Sequence, residues 1–314
     1  MSILDNQKFI LMVCELFYNQ GMTQKEIAEE LGISRPQVCR VISRARETGL
    51  VKIHLNYPDP EEDLYERKLR ELYGLPEIYV YNIGSDENPL ALDMLAQRSG
   101  DLFNVYIQDN SRIGVMSGRS VQALTRFFPT CRLKNTEFVP LCGGNNSDGC
   151  EWFANSNARV CAEKTSAKYY ILNAPSILSS MQAKEVLIRE QSIRNIIDLW
   201  SQCDTVLLGI GAVGMSASSS VAGFFSQEDI EELRQSGAVS SIACSYLDRN
   251  GKEIRHSLTQ RFIGATLGQL SKAKKIAVAI GKEKVPAIQA ALAGECVDVL
   301  ITSLETAKLL ADEK

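Results

Sequence analysis

The sequence predicts an α/β protein of two domains, a small helical N-terminal domain and a larger one built on a mainly parallel sheet. Three observations carry this. Amphipathic helical patterns fill the stretch from Phe9 to Arg46, and a breaker rich in proline and acids follows at Tyr57-Pro58-Asp59-Pro60. From Ile78 onward, short apolar runs alternate with helical stretches, the order of parallel strands joined by crossover helices. The 314 residues fit two domains of ~100–200 residues each. The expected division is 1–56, a linker with a short helix over 57–75, and 76–314.

The first helix is read from Phe9, Met12, Val13, Leu16 and Phe17, which recur at i, i+3, i+4, i+7 and i+8 and so share one face. Thr23-Gln24-Lys25-Glu26 is a capping box that opens a second helix, with Ile27, Ala28 and Leu31 inward and Gly32 as its stop. Ser34-Arg35-Pro36-Gln37 opens a third, with Ser34 as N-cap and proline in the first turn. Val38, Val41, Ile42 and Ala45 form its buried stripe, and Gln37, Arg40 and Arg44 share another face.

Charge singles out this third helix. Residues 1–55 hold seven basic and six acidic side chains, whereas the remainder holds 27 and 32. Ser34 to Arg46 contains four arginines and no acid. With a net charge of −4, any nucleic-acid surface has to be local. Two helices joined by a tight glycine turn, the second with a basic outer face, form the helix-turn-helix arrangement whose second helix enters a major groove. The candidate DNA-binding set is Thr23, Gln24, Ser34, Arg35, Gln37, Arg40 and Arg44. Arginine suits guanine edges or phosphates, and glutamine suits adenine. Leu50 to Leu55 alternates like a short strand and is expected as a wing, with His54 on its surface. The competing reading is an amphipathic hairpin with a solvated arginine face.

Beyond the break, Leu64, Lys68, Leu69 and Leu72 suggest a short helix ending at Gly74. The expected strands are Ile78–Tyr81, Arg112–Met116, Glu137–Leu141, Tyr169–Leu172, Thr205–Leu208, Ser241–Tyr246, Lys275–Ile280 and Val297–Ile301. Most are short and apolar, as in a sheet buried on both faces. Helices are expected between them, among them Gln227–Gln235 and Pro286–Leu292. Three of the following loops are small and polar: Ser117-Gly118-Arg119-Ser120, Cys142-Gly143-Gly144-Asn145-Asn146 and Gly209-Ile210-Gly211-Ala212-Val213-Gly214. Such carboxyl-end loops line the ligand crevice of open α/β sheets, and helix N-terminal amides favour an anion there.

Composition excludes several classes. No apolar run reaches the ~18 residues of a membrane span, and MSILDNQKFI lacks a basic stretch ahead of an apolar one. Nine cysteines without a C-x-x-C pair, together with two histidines, give no zinc spacing. Reduced thiols in a cytoplasm are expected, with no metal, cofactor or membrane partner.

The chain resembles the SorC family of bacterial sugar-responsive transcriptional regulators over nearly its whole length. The resemblance rests on Thr23-Gln24-x-Glu26-Ile27-Ala28, Leu31-Gly32-Ile33-Ser34-Arg35 and Val38-x-Arg40, then on Ile113-Gly114-Val115-x-x-Gly118-Arg119-Ser120 and Val139-Pro140-Leu141-x-Gly143-Gly144. It continues through Ala174-Pro175, Asp204-x-Val206-Leu207-Leu208-Gly209-Ile210-Gly211, Lys284-x-x-Ala287-Ile288-x-Ala290-Ala291-Leu292 and Val297-x-Val299-Leu300-Ile301-Thr302. It implies a winged helix-turn-helix joined to a Rossmann-like, sugar-phosphate-isomerase-type effector domain. The implied partners are double-stranded operator DNA, a small phosphorylated sugar and further copies of the chain, as dimer or tetramer. By the resemblance, Gly118, Arg119, Ser120 and Lys284 hold the phosphate and the Gly143-Gly144 loop approaches the sugar; Ser117, Asn145, Asn146, Gly209 and Gly211 complete the candidate effector-binding set as members of the three polar loops. The sequence departs from the family pattern at Ser240-Ser241, Ile280-Gly281 and Thr302-Ser303, where acids or glycines are usual.

An isomerase-type enzyme is the alternative. Gly209-x-Gly211-x-x-Gly214 matches a dinucleotide fingerprint, which also needs an acid about 20 residues on, at the end of the next strand. Glu228 and Asp229 stand near that distance but in the helix-like run. Isomerisation needs a positioned acid or base. His256 is expected in a turn or edge segment after Asn250-Gly251, Asp148 in an exposed loop, and Cys142 reads as a buried inert thiol rather than a reactive one. No enzyme activity is expected.

Overall fold

The computed structural model describes residues 6–51, 59–144, 153–214 and 226–312. Two compact units divide the chain, with the boundary between Tyr57 and Pro58.

In the N-terminal unit α1 (Gln7–Cys14) runs into a π-helical turn, Glu15–Asn19, followed by α2 (Gln24–Leu31) and α3 (Arg35–Glu47). Both halves of the Thr23–Glu26 capping box form, and Gly32 ends α2 in the left-handed region at φ 63°. Ile10, Val13, Cys14 and Leu16 pack with Ile27, Ala28, Val38, Val41, Ile42 and Ala45. The buried stripes of α2 and α3 match those read from the sequence. That of α1 is rotated: Met12 is 42% exposed, while Ile10 and Cys14 are buried. The π turn changes the residue spacing after Cys14, so one α-helical face does not describe both segments. The expected wing strand, Leu50–Leu55 with His54, falls mostly outside the described residues.

The larger unit contains α4 (Pro60–Tyr73), β1 (Glu77–Tyr81), α5 (Ala91–Ser99), α6 (Phe103–Tyr106), β2 (Arg112–Val115), α7 (Arg119–Arg126) and β3 (Glu137–Pro140). Then follow α8 (Ala154–Thr165), β4 (Lys168–Tyr169), α9 (Met181–Leu187), α10 (Gln191–Trp200), β5 (Thr205–Ala212) and α11 (Gln227–Gln235). The chain closes with β6 (Ser240–Ile242), β7 (Ser245–Leu247), β8 (Lys274–Val278), α12 (Val285–Ala293), β9 (Val299–Ser303) and α13 (Leu304–Asp312). Strands β1-β9-β8-β5-β2-β3-β4 lie side by side in that order, each parallel to its neighbours. The β6–β7 hairpin pairs antiparallel with the end of β5.

From β2 the chain moves one way to β3 and β4, then returns to β5 on the other side of β2 and moves on to β8 and β9. The strand order therefore reverses between β2 and β5. At such a switch point the loops at the carboxyl ends diverge and leave a crevice.

Three strand expectations change. The first glycines of Gly209 to Gly214 are not a loop: β5 continues to Ala212, with Gly209 paired to Val278 and Gly211 to Ser241. A strand has no tight phosphate-binding turn, so the dinucleotide fingerprint fails here. The run Ser241–Tyr246 is two strands, because Ala243 takes φ 53° and reverses the chain. The strand expected over Tyr169–Leu172 is cut to Lys168–Tyr169, although the Tyr170 amide still bonds the Phe138 carbonyl. The acidic stretch expected as linker and short helix supplies α4, whose Leu69 and Glu62 are buried.

Candidate effector pocket and nucleic-acid interface

The loop from β2 into α7 and the loop from β8 into α12 are built alike. Each leaves its strand through a glycine, Gly118 at φ 124°, ψ 150° and Gly281 at φ 110°, ψ 140°, a region open essentially only to glycine. Helix α7 follows β2 directly, so its N-terminus lies at the carboxyl edge of the sheet. Ser120 is buried. Lys284, the residue before α12, reaches to 3.5 Å of the Ser120 Oγ.

The electrostatics there suit an anion. Burial lowers the Lys284 pKa, the nearby Glu283 opposes that shift, and the Arg119 charge adds to it. Two cations close enough to repel, one of them partly buried, are relieved by a dianion. Strand β5 runs between β2 and β8, and Gly209, paired with the last residue of β8, contributes no side chain. A Cβ there would meet only Val121, at 3.9 Å.

Five of the expected effector residues thus gather at the switch point: Ser117, Gly118, Arg119, Ser120 and Lys284, with Gly209 on the strand between their loops. The others do not join them in the same way. A Cβ on Gly143 would fall 2.5 Å from the carbonyl oxygens of Ala174 and Pro175. This glycine therefore admits neighbouring backbone rather than a ligand. Gly144 is tied to the same segment, its amide to the Ala174 carbonyl and its carbonyl to the Ser176 amide. Gly211 faces Ser241 in the hairpin. Asn145 and Asn146 lie outside the described residues.

One group was missed by reading the sequence. Beside Ser303, where the family pattern places an acid, the Asp86 carboxylate accepts bonds from Ser303 Oγ at 2.8 Å and Thr306 Oγ1 at 2.6 Å. The Thr306 hydroxyl oxygen also accepts from the Gly281 amide at 2.8 Å. An acid is present next to position 303, delivered by the loop after β1. No local pattern signals a pairing 217 positions apart.

On α3, Arg35, Arg40, Arg44 and Cys39 are exposed. Arg40 Nε touches the Pro36 carbonyl at 3.4 Å and Arg44 lies 4.0 Å from Glu47, weak local contacts at an exposed surface. Gln37 is more committed: its Oε1 accepts from the Ser34 amide and hydroxyl, both at 2.9 Å. Bidentate adenine recognition needs that same oxygen, so Gln37 has to leave its cap to read a base. Arg46 differs from the other arginines. Its Nε bonds the Tyr18 hydroxyl at 2.8 Å and its guanidinium lies 5.8 Å from that ring's centre.

The comparisons with known proteins agree with this architecture. Residues 61–311 match the Sugar-bind family model, described as "Putative sugar-binding domain", and residues 4–52 match a homeodomain-like helix-turn-helix model. The chain belongs to the sugar-binding, SorC-type family of transcriptional regulators. It is 27% identical over 309 residues to the sorbitol operon regulator of Klebsiella pneumoniae, covering 98% of each chain. It is 27% identical over 310 residues to the deoxyribonucleoside regulator of Bacillus subtilis, covering 98% of this chain and 99% of that one. The crystal structure of the full-length Klebsiella pneumoniae regulator aligns with a TM-score of 0.77 over 98% of this chain and 99% of that chain. A DNA-binding regulator rather than an isomerase is the reading that these relatives support. Among the described residues no helix is long and apolar enough to cross a membrane.

Proposed function

We propose that this regulator controls a carbohydrate-utilisation operon in the cytoplasm, binding double-stranded operator DNA through α3 and a small phosphorylated sugar at the β2–β5 switch point. Thr23, Gln24, Ser34, Arg35, Gln37, Arg40 and Arg44 form the DNA surface. Ser117, Gly118, Arg119, Ser120 and Lys284 hold the phosphate, and Gly209 floors the pocket. The observation that carries the reading is the approach of Lys284 to Ser120 beside Arg119. Two cations, a hydroxyl and the start of a helix meet where an α/β sheet binds ligands. One recognition helix covers too few base pairs for a specific site, so the protein acts as a symmetric homo-oligomer, dimer or tetramer.

Thermal shift against paired sugars and sugar phosphates tests the ligand class, since a ligand bound only by the native state raises the melting temperature. The phosphorylated member of one pair should raise it and its unphosphorylated partner should not. Equal shifts within every pair, or none at all, would remove the phosphate from the assignment.

A further inference from the structure

We propose that Cys142 and Cys244 are a redox-responsive thiol pair that closes a disulfide bond across Gly264. Cys142 follows β3 and faces Gly264 in an antiparallel bridge. The Gly143 amide bonds the Ile263 carbonyl at 2.9 Å, and the Ala265 amide bonds the Leu141 carbonyl at 2.7 Å. Cys142 and Gly264 are therefore a non-hydrogen-bonded pair, the arrangement in which facing side chains come closest. Gly264 has no side chain to place there, and Cys244 fills the space. A Cβ on Gly264 would fall 2.1 Å from the Cys244 Sγ and 3.1 Å from the Cys142 Cβ. Both cysteines thus approach one point on Gly264, and a disulfide would bring their Cβ atoms to the ~3.5–4.5 Å that its geometry requires.

Two further features hold the pair. The Cys244 amide bonds the Ala265 carbonyl at 3.0 Å, and Ala243 at φ 53° turns the β6–β7 hairpin so that Cys244 faces inward. Cys142 is buried and Cys244 is intermediate in exposure. Burial raises both thiol pKa values, the neighbouring Cys142 raises that of Cys244 further, and Lys184 opposes the rise. A raised pKa keeps the thiolate fraction small, so the pair exchanges slowly.

The oxidant is a low-molecular-weight disulfide. The Cys244 thiolate attacks one of its sulfurs, forming a mixed disulfide and releasing one thiolate. The Cys142 thiolate then attacks the Cys244 sulfur, forming the Cys142–Cys244 bond and releasing the second thiolate. Two protons leave the cysteines, two electrons pass to the oxidant, and it departs as two reduced thiols. The new bond would take the Cys142 sulfur from its present partner, the Ser117 Oγ at 3.3 Å, and tie the loop after β3 to the hairpin. Ser117 begins the loop assigned above to the phosphate, so a changed effector response rests on that assignment. The bond itself does not.

The experiment treats the full chain with oxidised glutathione, alkylates the remaining thiols, digests without reduction and identifies linked peptides by mass spectrometry. The peptide containing Cys142 should be joined to the peptide containing Cys244, with two hydrogens lost. Fragmentation must separate Cys142 from Cys150, which share a tryptic peptide. Cys244→Ser should abolish the link, and the parent should recover free thiols after reduction. A glutathione adduct resting on Cys244 alone, or a link made by other cysteines with Cys142 and Cys244 alkylated, overturns the pairing. A link that forms without altering the response to a sugar phosphate leaves the pair standing and removes only its effect on the pocket.

Discussion

The Lys284 ammonium stands 3.5 Å from the Ser120 hydroxyl, across 164 positions of sequence and across the strand that separates their own two strands. Ordering a long cationic side chain in a partly buried position costs rotamer freedom and hydration. One hydroxyl returns little of that, but an anion returns more, because attraction between opposite charges adds to the hydrogen bond. The pair is consistent with a site organised ahead of its ligand.

Lys284→Met keeps the apolar stem and removes the charge. It should leave operator binding unchanged and weaken the response to a sugar phosphate by about tenfold or more, the loss expected when a charged hydrogen bond worth ~1.5–3 kcal/mol is removed. The pH dependence has a defined sign. Burial holds the Lys284 pKa below its ordinary value of 10.5, so the ligand-binding protonated form is lost as pH rises through that lowered value. Over the same range the free fold gains stability, because the unfolded chain still holds the proton. Calorimetry in buffers of different ionisation enthalpy should detect proton uptake on binding in the parent and not in Lys284→Met. Equal proton uptake in both would exclude Lys284 as the titrating group.

The arginines of α3 should separate into two kinds. Arg40→Ala and Arg44→Ala remove exposed cations and should weaken operator binding. If the contact is to phosphate, each should reduce the slope of log affinity against log salt by about one, and if it is to a base they should relax specificity at one position. Arg46→Ala breaks the contact with Tyr18 and should lower the stability of the N-terminal unit with little effect on base preference. Electrophoretic mobility shifts across a salt series, paired with thermal melts, check both. Unchanged operator affinity in Arg40→Ala and Arg44→Ala would remove α3 from the interface.

The two glycines after β3 should behave oppositely. Gly143→Ala drives a methyl group to 2.5 Å from two backbone oxygens, and overpacking against backbone costs ~1–3 kcal/mol or more. Gly144→Ala meets nothing within 4 Å and should fold normally. Denaturant midpoints decide the matter, and equal midpoints would show that the segment around Pro175 moves freely.

What the sequence made legible follows from locality. The caps at Thr23 and Ser34 and the runs Arg112–Val115 and Glu137–Pro140 are specified by residues a few positions apart, and all lie where the pattern placed them. The candidate phosphate loops were legible because a glycine followed by a polar helix start is also local. The continuation of β5 through Gly209 and Gly211 was hidden, because glycine weakens the strand signal that its neighbours provide. The hairpin turn was hidden because an alanine takes the left-handed conformation at Ala243. The Asp86–Ser303 pair and the meeting of Cys142 with Cys244 depend on tertiary proximity, which no short pattern records.

The outer edge of β1 is protected by side chains rather than by another strand. Glu66 on α4 accepts the Val80 amide at 3.0 Å, Glu62 accepts the Asn82 amide at 2.5 Å, and Arg70 donates to the Ile78 carbonyl at 3.1 Å. The spacing of 62, 66 and 70 puts all three on one helix face, opposite backbone groups that would otherwise invite a foreign strand. Glu66→Ala leaves a buried amide unsatisfied and removes the Arg70 ion pair, leaving Arg70 only the Ile78 carbonyl, a loss of ~1–3 kcal/mol. Glu66→Gln should retain most of the stability by keeping an acceptor. Urea midpoints should rank parent, Gln and Ala in that order, with light scattering showing aggregation first in the Ala variant. Equal midpoints for parent and Ala would mean that solvent replaces the cap.

Gly209 supplies the sharpest separation of pocket from fold. It pairs with Val278 inside β5 and remains partly exposed, so its missing side chain leaves space above the sheet between the Ser120 and Lys284 loops. Its backbone needs no glycine conformation, since its φ is not among the positive ones. A methyl group would come no closer than 3.9 Å to Val121, an ordinary contact distance. Gly209→Ala should therefore melt at the parent temperature or slightly above, because alanine loses less chain entropy on folding than glycine. Gly209→Val, larger and β-branched, should still suit a strand while filling the floor of the pocket. The expected series is near-constant stability of the free protein, with the ligand-induced rise in melting temperature shrinking from Gly to Ala to Val. Operator binding without ligand should remain at the parent level throughout. If the ligand-induced rise is equal in all three proteins, the sugar phosphate binds away from β5 and the switch-point assignment is wrong. If the rise is lost in Gly209→Val and kept in Lys284→Met, the pocket stands and its anion is held by Arg119 and the helix amides instead.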